Sequence, residues 1–416
     1  MMKLLLYSWK ANNEQILADN LTKLGFEVLR FDKECRHFTR DMELAAEMIP
    51  CIHREGIEAV ISFNYFPIIS MVCDTCKIPY YAWVYDCPHF TLYAKQISLP
   101  CNHIGIFDRE MVQKLWEKGM QTVYHVPLSV DVDRFAQVIR NHADIGNVNG
   151  IYKVHTVDGM EDKALSEYAC DISFVGSLYT DEHNYYDRVL DVKDKAVLDR
   201  FIREQCFCYE RDFLGESLGT GKLDIHGIQT KMEEQGLMLG EDYFADTGEL
   251  LKAAVLEKKV TVEERSILLH EIAKVFGDKY RFHLYSGSDL VRYPLLKKNH
   301  RGIADYHKQM PLVFAHSKIN LNLSLRSIHS GIPLRILDIM ACGGFALTNR
   351  QPEIAEYFED GREIVTFGSM EECLDKIGYY LERGEERQTI AAAGRCRVQE
   401  LFSYEKGLER LFELEN

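Results

Sequence analysis

The sequence has no GxGxxG, so the glycine fingerprint that seats a dinucleotide pyrophosphate at a strand-to-helix turn is missing, and a nicotinamide-dependent dehydrogenase is disfavoured. It has no basic surplus: the formal net charge is -15, and the clustered Lys/Arg needed to hold a phosphate backbone are absent, which argues against a nucleic-acid partner. No apolar run approaches the roughly 20 residues that span a bilayer. The first residues, MMKLLLYSWKANNEQ, have no signal-peptide cleavage pattern, so the chain is expected to be cytoplasmic and without a transmembrane segment. Only one CxxC occurs, Cys73-Asp-Thr-Cys76, with no second pair at zinc-ribbon spacing. The cysteines, Cys206 and Cys208 included, are therefore expected to be reduced thiols packed as small hydrophobes.

What remains is a globular composition, 46% hydrophobic and 27% charged, in a chain of 416 residues that is too long for one typical core and suits two domains. The most informative stretch is KINLNLSLRSIHSGIPLRILDIMACGGFALTN, residues 318–349. Ile319, Leu321, Leu323 and Leu325 alternate with Asn320, Asn322 and Ser324, which is strand periodicity. A loop punctuated by Ser, Gly and Pro follows at 326–334, then the spacing Ile336, Leu337, Met340, Ala341 predicts a short helix stopped by Gly343-Gly344, and 345–348 is a strand again. In a parallel sheet such a loop lies at the carboxyl edge, where open α/β sheets bind ligands. Free N–H groups and the dipole at the helix start suit a phosphate, with Arg326, His329 and Arg335 around it, and Asp338 is an acceptor one turn in.

In chain order, 3–8, 26–31, 59–63, 79–84, 104–107 and 123–126 read as strands, separated by helical spacings such as Ile16, Leu17, Leu21, Leu24 and by 66–76 and 109–118. Strands alternating with helices at this rate predict a parallel sheet covered on both faces. Asp86 falls just past a strand's carboxyl end, with His89 close behind; it is either a base at a cleft or the opener of a turn before Pro88. The pattern fades over 136–168, where the domain boundary is expected, and restarts at 171–175 before Gly176 and Ser177. Residues 187–280 read as a charged helical insertion, and 283–285 returns to strand before Gly287 and Ser288. Pro352 opens a helix, Ser369 and Glu372 form a capping box, and a last helix is expected over 399–414.

The whole chain resembles the glycosyltransferases of the GT-B fold, and more narrowly the CgeB-like proteins with a group-1-type C-terminal domain. The motifs that carry this are YAWVYDCP at 81–88, VPLSVDVDRF at 126–135, ISFVGS at 172–177 and SGIPLRILDIMACGG at 330–344. The resemblance implies an α/β chain of two Rossmann-like domains: an acceptor-binding one at 1–168, a nucleotide-sugar-binding one at 169–395, and a final helix at 396–416 that crosses back to the first. It implies that Asp338 is the ribose-binding carboxylate. Ser330 stands where retaining relatives place a glutamate, and no Arg and Lys follow Val175-Gly-Ser-Leu, so Arg326 or Arg335 is left to supply the diphosphate's charge.

The expectation is thus a metal-independent transferase without a cofactor. It uses a nucleotide-diphosphate sugar, UDP-linked in the first instance, and an acceptor that is a glycan, a protein or a small molecule. Donor-site residues are Gly176, Ser177, Gly287, Ser288, Arg326, His329, Ser330, Gly331, Arg335 and Asp338; Asp86 and then His89 are the base candidates. No DxD or HxxxE-type cluster borders those loops. The rivals are a nucleotide-sugar epimerase of the same fold and a non-catalytic nucleotide-sugar-binding protein.

Overall fold

The computed structural model describes residues 2–142, 167–180, 184–209 and 211–413. Six parallel strands form the first sheet: β1 (Lys3–Ser8), β2 (Glu27–Asp32), β3 (Ala59–Phe63), β4 (Tyr80–Val84), β5 (Asn102–Ile106) and β6 (Val123–His125), in the order β2-β1-β3-β4-β5-β6. Every residue of β3 and β4 is buried, as strands covered by helices on both faces require. Five further parallel strands form the second sheet: β7 (Cys170–Val175), β8 (Phe282–Tyr285), β9 (Ser317–Asn322), β10 (Ala346–Asn349) and β11 (Val365–Phe367), in the order β11-β10-β9-β7-β8. The strand order reverses between β7 and β9, so the ligand crevice of this sheet belongs above their carboxyl ends.

The strands follow the alternation and the apolar runs of the sequence, but several other elements differ from expectation. The helix Val132–His142 occupies the start of the stretch expected to be irregular, because Phe135 and Ala136 give it a buried face; the rest of the expected boundary, 143–166, lies outside the described residues. The expected last helix is two, Gly384–Leu401 and Tyr404–Phe412. They part at Phe402, whose carbonyl accepts from the Val130 N–H (2.9 Å), and the second starts on a Ser403 cap. That second helix returns to the first domain, where Phe412 packs at 4.8 Å on Tyr81 and 5.0 Å on Phe26. Gly407 makes the approach possible, since a Cβ there would lie 2.2 Å from Ser129 Oγ and 2.3 Å from the Trp83 ring.

The insertion is helical as read, and its last and longest helix is Glu257–Phe276. It also reaches the first domain, which its charged composition does not announce. Asp242 takes a two-pronged bond from Arg40 (2.7 Å each), its carbonyl accepts from the Lys95 N–H (2.9 Å), and Phe244 N–H donates to Tyr93 O (2.9 Å). All twelve cysteines are free.

Candidate active site

Three loops meet at the carboxyl edge of β7 and β8. Ser177 Oγ lies 3.1 Å from Ser288 Oγ, which also accepts from the Leu178 N–H (2.8 Å), and the Ser286 N–H donates to Gly302 O (2.9 Å). The chain turns sharply here through Tyr179 at φ 56, a left-handed conformation. Gly176, Ser177, Gly287 and Ser288 are thereby brought to one edge. Across the switch point the helix Leu334–Ala341 begins after Pro333, whose missing N–H costs a helix start nothing, and its first turns carry Arg335 and Asp338.

Asp338 is 1% exposed. Its carboxylate accepts from Tyr306 Oη (3.0 Å) and faces Arg335 Nη1 at 3.3 Å, while Tyr306 Oη in turn accepts from Asn13 Nδ2 of the first domain at 3.4 Å. Burial pushes the Asp338 carboxyl up to about 6, with Arg335 and the Tyr306 hydroxyl pulling the other way. The sign follows from linkage. A carboxyl raised in the fold contributes stability that is fully present below the unfolded value near 3.8 and is lost as pH rises through about 6. That gap is about two pH units, on the order of 3 kcal/mol. Asp338→Asn, neutral at every pH, is therefore expected to melt higher than the wild type at pH 7.5 and level with it at pH 4. A melting temperature below wild type at pH 7.5 would show that the ionised carboxylate holds this junction together.

The remaining residues expected around the donor have other partners. Arg326 turns into the insertion: Nε lies 2.8 Å from Glu264 Oε2, Nη2 meets the other carboxylate oxygen, and the Cys208 and Gln205 carbonyls accept at 3.0 Å each. Its guanidinium also covers the Tyr209 ring at 4.0 Å, so its charge is spent on the fold. His329 donates its backbone N–H to Asp108 Oδ2 (2.6 Å), and its ring lies between Glu257 Oε1 (2.8 Å) and Lys114 Nζ (3.1 Å). Burial works against its charge, but Glu257 outweighs it and holds the imidazole above its ordinary value. Ser330 Oγ sits 2.7 Å from Glu353 Oε1 and 3.1 Å from Asp108 Oδ1 and accepts from the Glu110 N–H (3.0 Å). A Cβ on Gly331 would come within 2.7 Å of the Phe107 ring and 2.8 Å of its carbonyl. Loop 326–333 is thus the seam between the domains, and a carboxylate in place of Ser330 would face two buried ones, Asp108 and Glu353.

In the first domain Asp86 lies past the end of β4 and is exposed. Asn64, at φ 61 past the end of β3, holds it: Nδ2 donates to Asp86 Oδ2 (2.6 Å), and Oδ1 accepts from the N–H groups of Tyr85 (3.0 Å) and Asp86 (3.2 Å). The next residue, Cys87, donates its thiol to Ser327 O at 2.9 Å, so Asp86 stands beside the domain seam. His89 is engaged in its own loop. Its Nε2 accepts from the Tyr65 N–H (3.2 Å) and lies 2.7 Å from Thr91 Oγ1, and burial holds the imidazole below its ordinary value.

Sequence reading passed over Arg265, in the insertion's last helix. It is 7% exposed and donates to Ser177 O and Leu323 O, directly above the ends of β7 and β9. Only the three-dimensional return of that helix to the sheet edge singles it out.

Residues 265–413 match the family model described as glycosyl transferase-like. A protein of Aquifex aeolicus is 26% identical over 151 residues, and the match spans 34% of this chain and 34% of that one. Anabaena HepE in complex with UDP-glucose superimposes with a TM-score of 0.54 at 10% identity, covering 100% of this chain and 99% of HepE. Sucrose-phosphate synthase of Thermosynechococcus elongatus gives 0.54 at 9% identity, covering 100% and 98%. A glycosyltransferase of Rickettsia africae gives 0.51 at 11%, covering 99% and 97%. The two parallel sheets, the reversal of strand order in the second and the helix returning to the first are accordingly the GT-B glycosyltransferase fold.

Proposed function

We propose that the protein is a glycosyltransferase of the CgeB-like group that transfers a hexosyl or N-acetylhexosaminyl unit from a UDP-sugar to a hydroxyl of a cell-surface glycan or a protein. The observation that supports this most is the edge of the second sheet: a helix start with Arg335 and the buried Asp338, facing the converging loops that follow β7 and β8 in a GT-B fold. HepE, with UDP-glucose bound, favours UDP as the nucleotide. Transfer breaks the bond from the anomeric carbon to the diphosphate and forms one to the acceptor oxygen, whose proton must leave. The helix N-terminus and the guanidinium offset the charge that develops on the diphosphate. Asp86, exposed beside the seam and held by Asn64, takes the proton in an inverting reaction.

A thermal-shift panel of nucleotides and nucleotide sugars tests the donor, since a ligand at 100 times its dissociation constant adds about 2.7 kcal/mol. Stabilisation by UDP and a UDP-sugar, with release of UDP that depends on added acceptor, is the expected result. Free sugar product without any acceptor would make the protein an epimerase, and stabilisation without UDP release a binding protein. Among the described residues no group of three or more His, Cys, Asp or Glu is placed to hold a metal ion. Turnover is expected to persist in EDTA; activity lost there and restored by Mn²⁺ or Mg²⁺ would overturn the metal-independent reading.

A further inference from the structure

The helix Glu257–Phe276 carries a cation, Arg265, to the switch point of the second sheet. Among the described residues Arg265 has no carboxylate within 4.0 Å, and the acid next to it in sequence, Glu264, is taken by Arg326. A guanidinium has five N–H donors in a rigid fork. Nη1 reaches Ser177 O past β7 and Nη2 reaches Leu323 O past β9, so the fork spans the gap between the strands, while Nε is buried with no hydrogen-bond partner among the described residues. The Phe174 and Tyr179 rings lie 5.6 and 5.3 Å from the guanidinium carbon, and Tyr179 favours its charge. Two carbonyl dipoles offset only part of the cost of burying a charge, which proteins otherwise meet with a counter-ion. Across the same switch point Arg335 has Asp338 as its one carboxylate within 4.0 Å among the described residues, and burial already pushes that carboxyl toward its neutral form. The two arginines are near enough that the charge of Arg335 lowers the proton affinity of Arg265, behind the larger effect of burial. Arg265 and Arg335 thus bring two positive charges to this edge against one carboxylate within 4.0 Å among the described residues, Asp338, and the Arg335 side chain, 30% exposed, opens the edge to a ligand.

We propose that Arg265 binds the diphosphate of the donor, and that the inserted segment delivers this cation in place of the loop after β7. The inference rests on the donor reading above. It separates a charge role from a brace between the two strand ends, because a brace acts on any ligand of the crevice whereas a diphosphate cation acts on phosphate alone.

The test is calorimetric titration of wild type, Arg265→Gln and Arg265→Lys with UDP and with uridine. Losing one charge-assisted contact is expected to weaken UDP about 10- to 100-fold in Arg265→Gln. Uridine affinity is expected to stay near wild type, and Arg265→Lys to recover part of the UDP preference because it keeps the charge without the fork. UDP and uridine weakened in the same ratio, or UDP not weakened at all, would overturn the proposal while leaving the donor reading intact. Should Arg265→Gln fail to fold, Arg265→Lys decides: a preference for UDP over uridine that survives supports the charge role, and its failure to fold as well leaves a brace only. A wild-type protein that binds neither probe removes the donor reading and this inference together.

Discussion

Replacing Asp86 by asparagine is expected to lower turnover about 10²- to 10⁴-fold, the range for removal of a general base, with UDP affinity and melting temperature near wild type. The substitution is informative because of how the residue is held. Asn64 Oδ1 accepts from the Tyr85 and Asp86 backbone N–H groups, and both bonds survive the change. Only the side-chain bond, Asn64 Nδ2 to Asp86 Oδ2 at 2.6 Å, is altered, and losing one such bond costs about 1 kcal/mol. An asparagine at 64 also suits the left-handed backbone there, φ 61, so the bracket does not rely on the carboxylate for its shape. A structural role for Asp86 therefore predicts a small loss of stability and almost no change in rate, and a base role predicts the reverse. His89 is a poor substitute, its Nε2 already accepting from the Tyr65 N–H. Steady-state rates with donor affinity measured separately decide between the two. A rate within a few-fold of wild type would leave Asp86 as the opener of its turn and point to chemistry without a protein base.

The parts of this fold that lie close together in the chain were legible in the sequence. Residues 318–325 alternate, and the first five of them lie in β9, which ends at Asn322, short of the expected end near Leu325. Ser369 and Glu372 announced a cap, and the Ser369 side chain accepts the Glu372 N–H at 3.1 Å. The loop before the helix Leu334–Ala341 was legible as a loop, but its partners were not. Ser330 and Gly331 look like ligand-facing residues in a local reading because Ser and Gly are what a phosphate loop uses. Their neighbours, Asp108 and Phe107, come from another domain, and no periodicity encodes a contact over such a separation. Arg265 was hidden for the same reason, since within its own segment it is one charge among many on a long helix. Positive charge in the sequence marked candidates for an anion site, but only pairing in space shows which arginines are already neutralised.

Arg326 is the clearest case, and Arg326→Ala is expected to destabilise the protein by about 3–5 kcal/mol, the cost of leaving one half of a buried ion pair. Glu264, 5% exposed, would lose its only cation within 4.0 Å among the described residues. The Gln205 and Cys208 carbonyls would each lose one of two donors, keeping the Cys208 N–H and Gln205 Nε2 respectively, and Tyr209 would lose the guanidinium that covers it at 4.0 Å. These partners lie in the insertion, so the loss is expected to loosen it from the sheet edge first, and with it the helix that carries Arg265. A diphosphate role for Arg326 predicts something else, namely weakened UDP binding by a protein of ordinary stability. Thermal unfolding of Arg326→Ala beside the double variant Arg326→Met with Glu264→Met separates the explanations. Apolar groups of similar length leave no unpaired charge, so the double variant is expected to lose less than the single one. A single variant that melts with the wild type and loses only UDP affinity would return Arg326 to the donor site.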